Sequence, residues 1–220
     1  MTTTTETGSL RIDIVSDVVC PWCIIGYKQL ESAMAETGID ADIHWHPFEL
    51  NPRMAATGEN LRAHLAAKYG TTLEGSIRAR AKLTAMGAEL DFAFNYADDM
   101  RIYNTFRAHQ LLHWAGQQGR QHDLKMALFG AFFTDRKNID DPHILADVAG
   151  GIGLDRNDAA AVLVAGEFAE AVREEETFWM SRGISGVPAM IFDEKYLVSG
   201  AQGVANYTSI LNQVAEHLAA

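Results

Sequence analysis

The first apolar positions of the chain alternate with polar ones, as in a β-strand. Between residues 10 and 15 the side chains of Arg11 and Asp13 separate apolar neighbours, and this period of two predicts a strand. The apolar residues that follow have helical spacing, with Pro21 at their start and Gly38 after their end. Proline in the first turn and glycine just past the last turn are typical of a helix, so a strand followed by a helix is predicted.

A second strand is predicted after this helix. Ile43 and Trp45 alternate with His44 and His46, so the two histidines share one face of the strand, and Asn51-Pro52 closes the segment. The start of the chain is therefore predicted to form a β–α–β unit.

The long middle of the chain is predicted to be helical and contains no convincing strand. Apolar residues recur there at intervals of three and four. The helical segments lie around residues 61–69, 108–115, 124–131, 159–164 and 168–180, with a further helix starting at Asp141-Pro142.

The pattern changes back to strands after Gly183. Two short apolar runs, 189–192 and 196–199, are separated by Asp193-Glu194-Lys195 and predict a hairpin. A last helix is predicted over residues 204–218, because its apolar residues form one stripe. The predicted order is thus β–α–β, a helical block, and β–β–α.

The acidic net charge of the chain limits its partners. The 220 residues include 18 Lys and Arg against 29 Asp and Glu, a formal net charge of −11. A charge of this sign repels phosphate backbones and anionic lipid surfaces, so we expect neither nucleic acid nor a membrane as partner. Residues 1–9 lack the basic and apolar regions of a signal peptide, and no uncharged apolar run approaches the roughly 18 residues of a membrane span. A cytoplasmic protein is expected.

Cys20 and Cys23 are the only two cysteines, and they flank Pro21-Trp22 where the first strand gives way to the first helix. A helix N-terminus favours an anion, so we expect a lowered pKa and a nucleophilic role for Cys20. Cys23 lies one turn further into the helix and can close a reversible disulfide. Alternatively, the cysteines and His44 with His46 could form a Cys2His2 zinc site, which would make the chain a zinc-held binding module.

Two further segments, one containing proline and one rich in charge, have patterns that predict their place in the fold. Pro188 precedes the third strand, where a residue that cannot donate to a sheet belongs at the strand's start. The run Arg173-Glu174-Glu175-Glu176 is predicted to be a solvated helix face.

Five spaced motifs together resemble the DsbA family of thioredoxin-fold proteins, and more narrowly its FrnE-like branch, which includes the 2-hydroxychromene-2-carboxylate isomerases. The motifs are Asp17-Val-Val-Cys20-Pro-Trp-Cys23, Pro47-Phe-Glu-Leu-Asn-Pro52, Asn104-Thr-Phe-Arg-Ala-His109, Gly183-Ile-Ser-Gly-Val-Pro188 and Ser199-Gly-Ala-Gln202. The resemblance extends from about Leu10 to the end of the chain. It implies an α/β thioredoxin fold, with a discontinuous thioredoxin-like domain over 1–52 and 183–220 and a helical insertion domain over 53–182.

The resemblance also implies a thiol-disulfide oxidoreductase. Cys20 would be the attacking thiol, Cys23 the resolving thiol and Pro188 a cis-proline, whose loop turns the Val187 backbone toward Cys20. The Val187 backbone would pair with an extended substrate. Asn104 and His109 of the insertion would form one wall of an apolar substrate-binding cleft, with Trp22 and Pro188 opposite.

Partners and alternatives follow from the same resemblance. Disulfide or thiol substrates, protein or small molecule, are expected, with no metal or organic cofactor and with glutathione as a candidate co-substrate. The alternative is a glutathione-dependent isomerase or transferase of an aromatic or polyketide-type small molecule, although the isomerase relatives carry serine where this chain has Cys20. The oligomeric state is left open.

Overall fold

The computed structural model describes residues 9–219. In chain order the elements are β1 (Leu10–Ser16), α1 (Pro21–Thr37), β2 (Ala41–Pro47), β3 (Glu59–Asn60), α2 (Leu61–Tyr69), α3 (Leu73–Glu89), β4 (Arg101–Ile102), α4 (Phe106–Gly116), α5 (Gln121–Phe129), a π-helical turn (Gly130–Thr134), α6 (Pro142–Gly151), α7 (Arg156–Ala165), α8 (Ala169–Ser181), β5 (Ala189–Phe192), β6 (Tyr196–Ser199) and α9 (Val204–Ala219).

A mixed sheet with strand order β2-β1-β5-β6 forms the centre of the fold. β1 runs parallel to β2 and antiparallel to β5, and β5 and β6 form the hairpin. The α/β class, the β–α–β start and the β–β–α end predicted from the sequence are confirmed. The thioredoxin fold with a helical block between its two halves is confirmed as well.

The helical middle contains one strand pair that the sequence pattern did not indicate. β3 and β4 pair antiparallel over two residues each. Runs this short cannot show a period of two, which is why the pattern missed them. One apolar core includes Cys23 of the first half and Leu128 of the helical block, so the two parts share an interior. The residue boundaries of the predicted domains stay a prediction.

Helix α1 starts and ends as its sequence predicts. Pro21 occupies its first turn, and Gly38 adopts a left-handed conformation with φ of 69° just past its end, where a side chain would be strained. β1 is buried along almost its whole length and leads directly into α1. The strand-to-helix junction that holds Cys20 is therefore fixed by the core on one side and by the helix on the other.

The absence of a side chain at Gly26 allows the segment before β5 to approach α1. A Cβ atom at Gly26 would lie 3.3 Å from both Pro188 Cγ and Met190 Cε. The carbonyl of Pro188 accepts a hydrogen bond from Gly200 N at 2.8 Å, which ties this segment to the end of β6. The fold thus brings Pro188 to the N-terminal half of α1. Among the helices of residues 9–219, none is long and apolar enough to cross a bilayer.

Candidate active site

The two cysteines lie at the start of α1 with their thiols reduced and buried. Cys20 is the residue that precedes the first helical turn, and its backbone is extended (φ −90°, ψ 113°). Its N–H donates to the carbonyl of Asp17 at 3.1 Å, and its own carbonyl accepts from Cys23 N at 3.1 Å. These bonds fix both ends of the Cys20–Cys23 turn at the positive end of a helix, where a thiolate is stabilised.

The segment before β5 faces Cys20. The Cys20 thiol donates to the carbonyl oxygen of Val187 at 3.7 Å, and the Val187–Pro188 peptide bond is cis, as the resemblance implied. Trp22, between the cysteines, is 40% exposed. Three of the predicted site residues, Cys20, Val187 and Trp22, therefore lie together.

A cavity of about 410 Å³ opens beside this group. Cys20 lines it and Cys23 does not, so Cys20 is the sulfur that a ligand in the cavity would meet. Its walls are mostly apolar and come from α1, α2, α3 and the π-helical turn. A cavity of this size and character is typical of a small-molecule site.

A buried lysine lies behind the cysteines, and the sequence analysis did not find it. Lys125 of α5 is completely buried, and its Nζ donates to the carbonyl of Ser16 at 3.3 Å. The same Nζ lies 5.2 Å from the ring centres of Trp45 and Phe129, in contact range for cation–π attraction. Burial lowers the pKa of Lys125 to about 8, although the cysteines and Asp17 act in the opposite direction.

The two thiols are coupled, so they titrate as a pair in two steps. Burial acts to raise the pKa of Cys23, but a hydrogen bond from Cys20 and the charge of Lys125 outweigh it, and the net pKa is lowered. That same hydrogen bond and burial raise the pKa of Cys20. These directions are opposite to the lowered pKa that the helix N-terminus alone predicts for Cys20. Cys20 therefore acts as a thiolate once its proton has passed to another base, such as the Cys23 thiolate.

A comparison with models of protein families identifies the family of this chain. The family described as DSBA-like thioredoxin domain matches residues 11–212, most of the chain. The chain belongs to this family.

Similar proteins agree with membership of the DSBA-like family. A crystal structure of a probable DsbA oxidoreductase from Streptomyces coelicolor is 33% identical, with a TM-score of 0.88 over 94% of this chain and 90% of that one. The uncharacterized protein YwbO of Bacillus subtilis (strain 168) is 25% identical over 200 residues, 89% of this chain and 92% of YwbO.

A more distant structural neighbour has the same fold. A 2-hydroxychromene-2-carboxylate isomerase has a TM-score of 0.71 at 15% identity, covering 95% of this chain and 98% of that one. At this identity the likeness shows the fold alone.

Asn104 and His109 are not among the residues that line the cavity of this DSBA-like protein, and their substrate-binding role stays a prediction. The amide of Asn104 donates to Glu49 Oε2 at 2.9 Å. His109 is buried, and its Nε2–H donates to the carbonyl of Phe48 at 3.1 Å. Both residues therefore bind the segment that follows β2. Leu50 of this segment lines the cavity.

Replacing His109 with alanine is expected to lower the free energy of unfolding by on the order of 2–3 kcal/mol, because the Phe48 carbonyl loses its buried donor. His113→Ala on the same helix is the matched control, since the His113 side chain is 32% exposed. Urea denaturation measures both. A His109→Ala protein that keeps its stability but loses discrimination between large and small disulfides would support the predicted substrate-binding role instead.

The run Arg173-Glu174-Glu175-Glu176 is a solvated helix face only in its first half, where Arg173 and Glu174 are exposed, while Glu175 is half-buried and Glu176 is buried. Arg173 forms ion pairs with the buried Glu49 and, at 2.7 Å, with Glu176. Glu175 forms a 2.5 Å contact with Nδ1 of His46 on β2. The prediction is therefore confirmed for the first two residues and wrong for Glu175 and Glu176, which face neighbouring elements.

The Cys2His2 alternative is wrong as well. His46 bridges Glu175 and Asp13, whose Oδ1 lies 2.7 Å from its Nε2, and His44 pairs with Asp42 at 2.8 Å. Within residues 9–219, no three His, Cys, Asp or Glu side chains are arranged to hold a metal ion. The histidines of β2 therefore form ion pairs within the sheet and with α8, and the two cysteines are a separate pair.

Proposed function

We propose that the protein is a thiol-disulfide oxidoreductase that works through the Cys20–Cys23 pair. The observation that carries this proposal is the asymmetry of the two reduced sulfurs: Cys20 lines the cavity and faces Val187, while Cys23 lies behind it near Lys125. A dithiol with one sulfur at a cavity wall and the other enclosed behind it is suited to attack by the first and resolution by the second. Membership of the DSBA-like family supports the same chemistry.

The exchange needs no group beyond the two thiols and their surroundings. The Cys20 thiolate attacks one sulfur of a substrate disulfide, a mixed disulfide forms, and the other substrate sulfur leaves as a thiolate that takes up a proton. The Cys23 thiolate, held by Lys125, then attacks Cys20 Sγ and releases the second substrate thiol. Two electrons pass from the protein to the substrate, and the reverse sequence oxidises a substrate dithiol.

Val187 and Trp22 are proposed as substrate contacts. The backbone of Val187 faces Cys20, so an extended substrate segment can pair with it in the manner of strand addition. Trp22 presents an exposed ring at the cavity mouth, next to the attacking sulfur. Pro188, which packs over Gly26, would hold the Val187 carbonyl in place.

The direction of electron flow depends on the reduction potential, since a difference of about 30 mV changes a two-electron equilibrium about tenfold. Glutathione is our candidate electron donor. A cytosolic disulfide reductase, DsbM of Pseudomonas aeruginosa, has been solved with glutathione, and it has this fold at 16% identity with a TM-score of 0.59. A cytoplasmic location stays a prediction.

Equilibration with glutathione redox buffers tests the proposal directly. After each mixture is quenched with a thiol-alkylating reagent, mass spectrometry counts the alkylated cysteines. We expect one two-electron transition between a form with two thiols and a form with the Cys20–Cys23 disulfide. A protein whose two thiols persist under all oxidising mixtures, or that forms only separate glutathione adducts at each sulfur, would contradict the proposed pair.

Replacing Cys23 with serine is expected to trap the mixed disulfide at Cys20, because the second thiol that resolves it is absent. Incubation with a disulfide substrate followed by peptide mapping should find the adduct at Cys20. The matched control is Cys20→Ser, in which the enclosed Cys23 should form adducts far more slowly. Faster adduct formation in Cys20→Ser than in Cys23→Ser would reverse the assigned roles.

A further inference from the structure

The cavity beside Cys20 contains buried polar groups with no partner. Nε and Nη2 of Arg80 and the hydroxyl of Ser76 form no hydrogen bond with any described residue, and all three atoms are shielded from solvent. Both side chains belong to α3 and line the cavity. Nη1 of Arg80 donates to the carbonyl of Ala97 at 3.1 Å, and the guanidinium carbon lies 5.6 Å from the centre of the Tyr96 ring. A buried donor without a partner destabilises the fold, so these atoms indicate a ligand that forms the missing hydrogen bonds.

The charge of the cavity is opposite to that of the protein. The chain has a net charge of −11, yet the cavity lining within residues 9–219 includes Arg80 and Lys82 and no aspartate or glutamate. The nearest carboxylate to Arg80, that of the exposed Asp98, lies 3.8 Å from its Nη1 and is also bound by Arg62. Two guanidinium groups thus share one carboxylate, which leaves an excess positive charge at this wall.

The remaining walls are apolar and extend to the reactive sulfur. Leu61, Leu83 and Phe133 line the same cavity as Arg80 and Cys20, and Lys82 Nζ lies 6.0 Å from the centre of the exposed Trp22 ring. Because the guanidinium and Cys20 line one cavity of about 410 Å³, a single ligand of modest size can contact both.

We propose that this cavity binds a small disulfide that has an apolar body and a carboxylate, with the carboxylate on Arg80 and Ser76 and one sulfur at Cys20. The inference rests on the proposed function and specifies its substrate class. A guanidinium presents two parallel N–H donors to a carboxylate, which matches the two free nitrogens of Arg80. Reduced protein transfers two electrons to the bound disulfide, which leaves as two thiols while Cys20 and Cys23 become joined.

A single-turnover assay with two matched disulfides tests this proposal. The disulfide of para-mercaptobenzoate carries the carboxylate, and the disulfide of para-mercaptobenzamide has the same apolar body without the charge. Each oxidises the reduced protein, and the released thiol gives the rate by absorbance. The rate ratio, acid over amide, is divided by the same ratio for free cysteine, which removes the intrinsic reactivity of the two probes.

We expect the corrected ratio to exceed one for the natural chain and to fall about tenfold in Arg80→Met, which keeps most of the side-chain volume but removes the charged donors. Arg78→Met is the matched control, because Arg78 lies on the same helix with a side chain that is 75% exposed and outside the cavity. Its ratio should equal that of the natural chain. Oxidised glutathione has its carboxylates on a polar peptide. After division by its rate with free cysteine, its rate with the protein should be lower than that of the benzoate disulfide.

The outcomes separate this inference from the proposed function. Failure of both disulfides to oxidise the protein would contradict the proposed function itself. If both disulfides oxidise the protein and the corrected rate ratio is equal in the natural chain and in Arg80→Met, the anion site alone is overturned. A faster reaction with oxidised glutathione would contradict the proposal that the substrate has an apolar body. If Arg80→Met fails to fold, Ser76→Ala replaces it in the same assay. Calorimetry then compares para-methylbenzoate binding to Ser76→Ala and to the natural chain. We expect a lower rate ratio and weaker binding in Ser76→Ala, and unchanged values would overturn the anion site.

Discussion

Replacing Cys20 with serine is expected to reduce the rate of disulfide exchange by roughly a thousandfold or more, because a serine hydroxyl does not ionise near neutral pH and cannot attack sulfur in this way. Cys20 is the sulfur that lines the cavity, so no second thiol replaces it. The measurement is the initial rate of thiol release from the benzoate disulfide under single-turnover conditions. Cys23→Ser is the matched control, since it retains the first attack.

The same variant separates the oxidoreductase from the glutathione-dependent isomerase. An isomerase whose chemistry uses the thiol of bound glutathione does not consume the Cys20–Cys23 pair. Glutathione-dependent turnover of an aromatic carbonyl substrate that persists in Cys20→Ser would favour the isomerase. Loss of disulfide exchange with no such turnover supports the oxidoreductase.

The parts of the fold that could be predicted are those with a periodic pattern of apolar residues, or with a proline or glycine whose backbone preference marks the end of an element. β1 alternates over the five positions 10–14, and α1 has proline at its start and glycine just past its end, so their limits follow from local rules. The Cys20–Cys23 pair could be assigned because its spacing and its place at a strand-to-helix junction are local properties too.

The functional surroundings of the cysteines depend on contacts that no local pattern contains. Lys125 sits in a helix between Leu124 and Leu128, and its neighbours give no reason to bury a charge. Arg80 lies in a helix with many exposed side chains, where arginine ordinarily points to water. Only the packing of α3 and α5 against the first half of the chain places these two cations inside.

Asn104 and His109 show a different limit of sequence analysis. Their motif could be recognised, but the motif does not state which residues their side chains contact. The structure places them against the segment after β2, bonded to Glu49 and Phe48, where they hold the chain that lines the cavity. A residue matched to a family motif near an active site is thus as consistent with a supporting role as with ligand contact.

The last prediction concerns Lys125→Met, which removes the buried charge but keeps an apolar chain of similar length. The pKa of the first thiol ionisation should rise by about one unit, because Cys23 loses the ammonium that stabilises its thiolate. Alkylation at neutral pH should slow about tenfold, and the reduction potential should become more negative by about 30 mV, since the reduced form loses this stabilisation. Alkylation rates against pH and glutathione equilibration measure the two changes. Lys137→Met, with a half-exposed side chain, is the control.

Stability provides an independent readout of the same lysine. Its pKa is about 8 in the folded protein against an ordinary 10.5, so between these values the unfolded chain binds more protons and stability rises with pH. Below pH 8 the buried charge costs on the order of 2–3 kcal/mol, which Lys125→Met should recover. Urea denaturation at several pH values, in a Cys20→Ser, Cys23→Ser background where no thiol titrates, isolates the effect. A background protein whose stability is flat between pH 8 and 10.5, and equal to that of its Lys125→Met form, would show that the lysine is solvated and does not control the thiols.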